Sequence, residues 1–185
     1  FGSDNSAGDG RGGSVKADNA AELFAEADFT PEGATFPFGT HVSVVEVDTE
    51  TGSVAIVRHI ACDDAGTILN PLIVDGQVHG GVAQGIAQAL LEEVRYDDGG
   101  NPITSNLADY AFITAAELPS FERIPMETPT PRNPLGAKGI GEAGTIGATP
   151  AVQNAVIDAV RHLGVRHIDM PCTANRVWAA LQSPR

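Results

Sequence analysis

Residues 40–64, "THVSVVEVDTETGSVAIVRHIACDD", hold β-branched side chains in two runs, Val42, Val44 and Val45, then Val54, Ile56, Val57 and Ile60. Branched side chains are stiff in a helix and pack well on a pleated surface, so each run favours extended chain. The "DTETG" between them supplies turn chemistry, and the spacing predicts a β-hairpin with a short loop. The next stretch, "NPLIVDGQVHGGVAQGIAQALLEEV", changes period. Its apolar residues Val74, Val78, Val82, Ile86 and Leu90 recur every four positions, which predicts a helix over 75–93.

Two further helices are expected downstream. In "TPAVQNAVIDAVRHLG" Thr149 reads as the N-cap, Pro150 as the first helical residue and Gly164 as the C-terminal cap. Val152, Ala155, Val156, Ala159, Val160 and Leu163 form its apolar stripe. "TANRVWAALQ" is a last helix capped by Thr173. Between the helices, residues 95–134 read as a short strand, a turn, a small helical piece and extended chain punctuated by proline. Upstream, residues 1–19 read as loop or linker, "AAELFAEA" (20–27) as a short helix and 29–39 as irregular. The expected organisation is an irregular N-terminal segment over 1–39 and a domain over 40–185. A hairpin among helices that do not alternate with strands points to an α+β fold.

Composition narrows the functional classes. A chain of 185 residues is long enough for one domain with a real core. Net charge is −13, with 11 Lys and Arg against 24 Asp and Glu, which argues against a nucleic-acid surface. No run of about 18 apolar residues predicts a membrane span. The start, "FGSDNSAGDG", has neither the charged nor the apolar region of a signal peptide, and no initiator methionine, as expected of a piece of a longer protein. Cys62 and Cys172 belong to no CxxC pair and read as reduced thiols, so a cytoplasmic location is expected.

The residues that invite chemistry cluster at "LGAKGIGEAGTIGATPAV" (135–152), where Glu142 is the one carboxylate among five glycines. "GIGEAG" fits G-x-G-x-x-G by letter. A dinucleotide site needs a strand before it and a helix opening on its third glycine, and neither is expected here. A glycine loop running into a helix still offers N–H groups and a positive dipole end to a polar ligand. Glu142 is then either a general base beside that ligand or a solvated loop residue. On the helix at 75–93, Gln77, Gln84 and Gln88 share a face, with Gly80 and Gly81 between the first two. Glycines inside a helix cost about 1 kcal/mol each. Close helix packing and a flat ligand both compensate, and spacing does not choose between them. His79 reads as a partly buried histidine rather than a ligand. No HExxH, His–Cys cluster or calcium loop predicts a metal held by side chains, and no GxSxG elbow predicts a Ser–His–Asp set.

Together, "DDAGTILNPLIVDGQVHGGVAQGIAQALLEE" and "PLGAKGIGEAGTIGATPAVQNAVIDA" resemble the C-terminal, molybdopterin-binding part of the molybdenum hydroxylases, the xanthine dehydrogenase and aldehyde oxidase family with its carbon monoxide dehydrogenase-like large subunits. The resemblance runs from about Thr40 to Leu181 and includes "EVDTETGSV", "LADYAF" and "MPCTANRVWAAL". It implies a mixed sheet packed with helices, and a molybdenum atom held by a pterin rather than by protein side chains, here as the molybdopterin cytosine dinucleotide. It implies Glu142 as the catalytic base in oxidative hydroxylation of an aldehyde, N-heterocycle or similar small molecule. It places Gln77, Asp64, Ala65, Gly66, His79, Gly80, Gly81, Lys138, Gly139 and Gly141 around the cofactor. Ala65 stands where the family pattern has cysteine. The implied partners are the rest of the molybdopterin subunit, an iron–sulfur small subunit and an FAD medium subunit. No cysteine motif for such clusters and no FAD domain is recognisable here, so the chain is not expected to turn over alone. The alternative is a non-catalytic module that folds or assembles without binding cofactor itself.

Overall fold

In the computed structural model the described residues are 15–16, 26–31 and 33–183. The chain divides into two compact units, Phe1–Ala34 and Thr35–Arg185. In the first, β1 (Val15–Lys16) pairs antiparallel with β2 (Glu26–Ala27). The short helix expected over 20–27 is therefore wrong at its end. Residues 20–25 and most of 1–19 lie outside the described residues. A single eight-residue helix is marginal without packing, and backbone pairing prevails at Glu26–Ala27.

The second unit is built on the expected hairpin. β3 (Phe38–Val47) and β4 (Val54–Asp64) pair antiparallel, with a register shift between Val44 and Val45. Asp48 closes the turn by accepting from the Glu50 and Thr51 amides. A third strand, β5 (Glu122–Met126), adds parallel to β4 and makes the sheet mixed. It lies in the segment read only as extended chain. Its Pro125 is tolerated because an edge strand has one side free of ladder bonds.

Helices cover one face of this sheet. α1 (Pro71–Leu90) begins four residues before the expected start, with the Asn70 side chain accepting from the Ile73 amide. All five residues of its four-residue repeat are buried. α3 (Ala174–Gln182) is capped by Thr173 as expected, and seats Val177 in the core. α2 (Ala143–Val160) departs from expectation. It starts six residues before Thr149, so Pro150 lies inside it and Glu142 takes the N-cap position. Pro150 is tolerated on the exposed face, where solvent meets the carbonyl it leaves unpaired. Gly164, in the left-handed region after a 3-10 turn over Arg161–Leu163, ends the segment as predicted.

The early start of α2 follows from packing. A Cβ on Gly144 would lie 2.7 Å from the Val78 carbonyl oxygen and 2.8 Å from the Val82 nitrogen of α1. One on Gly85 would lie 2.7 Å from the Ala148 Cβ, and one on Gly81 3.0 Å from the Thr145 nitrogen. The two backbones touch through glycine and alanine. Hydroxyls reinforce the contact: Thr145 donates to the Gly81 carbonyl at 2.9 Å, and Thr149 lies 3.2 Å from Gln88 Oε1. This tertiary contact outweighs the weak helix propensity of "AGTIGAT", and the apolar stripe Val152, Val156 and Val160 continues it into the core. Leu163, expected on that stripe, is exposed beyond the end of α2.

Gly80 is the internal control, because a Cβ there meets nothing within 4 Å. Gly144→Ala is expected to destabilise the 185-residue chain by about 1–3 kcal/mol, whereas Gly80→Ala stabilises it by up to about 1 kcal/mol. Urea unfolding of the two variants beside the parent checks both signs; equal effects would contradict the packing account.

Candidate functional site

The two motifs that carried the resemblance meet in space. β4 ends in Asp63 and Asp64, both buried, and the chain turns at Gly66. Gly66 pairs as an isolated antiparallel bridge with Ala137, the Lys138 amide donates to the Ala65 carbonyl at 2.9 Å, and the Thr67 amide donates to Gly136. Gly66 and Gly136 both have positive φ, and a Cβ on Gly66 would collide with the Gly136 carbonyl. Two segments seventy residues apart are therefore locked by backbone contact that no other residue type permits.

Charge seals the same junction. Lys138 Nζ donates to Asp64 Oδ1 at 2.9 Å and stands 4.8 Å from the centre of the Phe38 ring. Asp64 Oδ1 also accepts from the Gly66 amide. Burial pushes the Asp64 carboxyl up, but the Thr128 hydroxyl beside it, Lys138 and the Gly66 amide outweigh that and hold it below its ordinary value. Its second oxygen, Oδ2, is buried without a hydrogen-bond partner.

From Lys138 the chain passes through Gly139, Ile140 and Gly141 to Glu142 and the first turn of α2. Gly139, Gly141, Glu142, Ala143, Ile146 and Gly147 form one wall of a cavity of about 490 Å³. The facing wall comes from Phe38, Gly39, His41 and Asp63. Glu142 is exposed on this cavity, and its side chain does not cap the helix. Gln77 adjoins the loop, its Oε1 3.4 Å from where a Gly141 Cβ would stand. Gln84 and Gln88, by contrast, lie by the Thr145 and Thr149 hydroxyls at the helix contact.

The residues of the glycine turn on α1 separate. Gly81 is spent on packing against α2, whereas Gly80 faces open space. His79 is exposed, edge-on to the Phe121 ring at 5.8 Å. Ala65 is buried beneath the junction. Among the described residues no group of three His, Cys, Asp or Glu stands where it can hold a metal ion, and no helix is long and apolar enough to cross a membrane. Cys62 and Cys172 are free thiols.

Residues fit for a large polar organic ligand are present on two counts. The backbone faces of Gly80 and Gly139 are unobstructed, since a Cβ on either meets nothing within 4 Å, and the Gln77 side chain, exposed beside Gly141, carries both a donor and an acceptor. Sequence reasoning missed His41, Asp63 and Phe38. The alternation of β3 was the available signal, for it puts His41, Ser43, Val45 and Val47 on the half-buried, helix-facing side.

Comparison with known proteins gives the family and the fold. Residues 11–119 match the family model of the molybdopterin cofactor-binding domain. The chain is 42% identical over 154 residues to the carbon monoxide dehydrogenase large chain of Hydrogenophaga pseudoflava, covering 83% of this chain and 19% of that one. It is 42% identical over 145 residues to the nicotine 6-hydroxylase large subunit of Paenarthrobacter nicotinovorans, covering 78% and 18%. Among solved structures it is similar to a Cu,Mo-CO dehydrogenase, with TM-score 0.80, 39% identity and coverage of 85% and 20%. Quinoline 2-oxidoreductase from Pseudomonas putida 86 gives TM-score 0.77 and 42% identity, with coverage of 80% and 19%. The chain thus spans about a fifth of the length of these relatives.

Acid titration tests the buried polar groups near the cavity. Burial, and to a lesser degree His41, lower His59 from 6.5 to about 4, against a smaller opposing pull from Asp63. As pH falls the unfolded chain takes up this proton first, so stability drops from about 6.5 downward and levels off below about 4. The loss attributable to His59 is up to about 3 kcal/mol. In His59→Gln the fall across that window is expected to flatten in urea melts, and an unchanged slope would contradict the burial of a neutral ring.

Proposed function

The chain belongs to the molybdopterin-binding domain of the molybdenum hydroxylases, homologous to the large subunits of the carbon monoxide dehydrogenase and xanthine oxidase family, and on that premise we propose that it holds the pterin cofactor and supplies the reaction's base. The observation that carries this reading is that Glu142 opens on a cavity with Gly139 and Gly141, that Gln77 stands beside Gly141, and that the buried Lys138–Asp64 pair anchors the loop immediately before Gly139. The cofactor assigned is the molybdopterin cytosine dinucleotide.

Each residue has a role set by its chemistry. The open backbone at Gly139 and Gly80 admits a flat polar group to close approach, with Gly141 beside Gln77. The Gln77 amide offers both a donor and an acceptor to the edge of a pterin. Asp64, Ala65, Gly66 and Gly81 are buried, so they shape the wall from behind rather than touch the cofactor, while His79 is exposed on α1. Lys138 is committed to Asp64 and Phe38, and so fixes the wall rather than reaching for an anion. Ala65, which stands where the family pattern has cysteine, is buried and makes no contact with the cavity.

When bound, the molybdenum cofactor supplies the two-electron oxidation of the substrate carbon. Glu142 accepts the proton that this oxidation releases, at a carboxylate that opens on the cavity and is held at the head of a rigid helix. The glycines on either side leave that carboxylate unobstructed. Substrate class is an aldehyde, N-heterocycle or similar small molecule. Iron–sulfur and FAD groups on partner subunits would take up the electrons, and the location assigned to the enzyme is the cytoplasm.

In the assembled enzyme that contains this chain, Glu142→Gln is expected to lower turnover by at least about 100-fold while molybdenum content stays at the parent level. Turnover at the parent rate in that variant would remove the base from Glu142.

A further inference from the structure

One buried polar chain, unused by the reading above, ends on the wall of the Glu142 cavity. The Ser43 hydroxyl lies 2.7 Å from His59 Nδ1. His59 Nε2 lies 3.2 Å from His41 Nδ1, and His41 Nε2 lies 3.1 Å from both Asp63 oxygens. The His59 ring is wholly buried, and the side chains of His41 and Asp63 are 1% and 3% exposed.

With both rings neutral the donors fall into a single order. A carboxylate only accepts, so His41 Nε2 donates to Asp63. His41 Nδ1 then accepts from His59 Nε2–H, and His59 Nδ1 accepts from the Ser43 hydroxyl. One direction satisfies every link with both rings neutral. Reversing a link adds a proton to one of the two rings, a charge that the Asp63 carboxylate would face. The imidazole of His41, held at both nitrogens, is thereby fixed in orientation.

The ring so fixed abuts α2. A Cβ on Gly147 would stand 2.5 Å from His41 Cδ2, 2.6 Å from Nε2 and 2.7 Å from Cε1. Gly147 lies in the second turn of the helix that Glu142 heads, and His41, Asp63, Glu142 and Gly147 line the same cavity. Backbone hydrogen bonds, including the one from the Ile146 amide to the Glu142 carbonyl, make that stretch move as a unit.

We propose that His41 is a positioning residue for Glu142: held by Asp63 in front and by His59 and Ser43 behind, its ring is the stop on which the head of α2 rests. The proposal rests on Glu142 acting as the base. The titratable groups facing His41 are His59 and Asp63, both from β4; α2 presents Gly147, which has none, with Glu142 further along the cavity. A displacement of the base by about 1 Å is enough to cost about 100-fold in rate.

The test uses the assembled enzyme. His41→Phe keeps the ring and loses both hydrogen bonds, and Asp63→Asn keeps the shape and loses the charge. Both are expected to lower kcat by about 100-fold with KM and molybdenum content unchanged. Amide hydrogen exchange over 143–147 is expected to quicken by about tenfold while α3 exchanges as in the parent. Parent-level kcat, or unchanged exchange over 143–147, in both variants overturns the proposal. Should His41→Phe fail to assemble, Asp63→Asn alone decides by the same two readings. Glu142→Gln runs beside them. If it retains turnover the base assignment falls, and hydrogen exchange in the His41 and Asp63 variants still decides whether this ring seats α2.

Discussion

Two helix backbones approach so closely in this protein that no side chain fits between them, and the rest of the site follows from that approach. Gly81 and Gly85 on α1 face Gly144 and Ala148 on α2. Glycine in a helix is unfavourable by about 1 kcal/mol against alanine, so such a helix forms only where the contact it makes possible returns more. Because the contact begins at Gly144, the helix begins at Ala143, and Glu142 becomes its first flanking residue instead of a member of a long loose loop. A carboxylate that sequence alone would leave in a flexible turn acquires a fixed address.

A second junction fixes what that carboxylate faces. The end of β4 and the segment before the glycine loop are joined by backbone pairing at Gly66 and Ala137 and by the buried Lys138–Asp64 pair. A buried ion pair adds little net stability compared with apolar packing, but breaking it leaves a charge stranded, so it specifies one arrangement strongly. Asp63 and Asp64 divide the labour. Asp64 ties the loop down, and Asp63 points to the opposite side, into the cavity and toward His41. Adjacent strand positions project to opposite faces, which is how one dipeptide serves both walls.

Much of the fold was legible because local signals and packing agree there. The hairpin, the four-residue repeat of α1, the Thr173 cap and the Gly164 terminator each read correctly from a few residues. The failures have one cause in common, a tertiary contact that overrides local preference. "AGTIGAT" has the look of a loop until α1 is placed beside it, and Thr149 has the look of a cap although its hydroxyl turns back to the Thr145 carbonyl inside the helix. Glu122–Met126 became a strand because β4 offered an unpaired edge, a fact absent from its own five residues. At the candidate site, Glu142, Lys138, Asp64 and Gln77 were singled out through the family resemblance, and how close they lie to one another belongs to the three-dimensional arrangement. His41 and Asp63 were not singled out, since their partners lie on a neighbouring strand and only the alternation of β3 hinted at which way the histidine faces.

The central claim is that the pterin cofactor lies in the cavity between the head of α2 and the ends of β3 and β4, with Glu142 turned toward its metal. An experimental structure of the cofactor-loaded enzyme containing this chain tests it most directly. The account predicts electron density for the cofactor bordered by Gly139 and Gly141 and reaching Gln77, with the Glu142 carboxylate on the metal side. Cofactor density elsewhere, with Glu142 turned to bulk solvent, would contradict it.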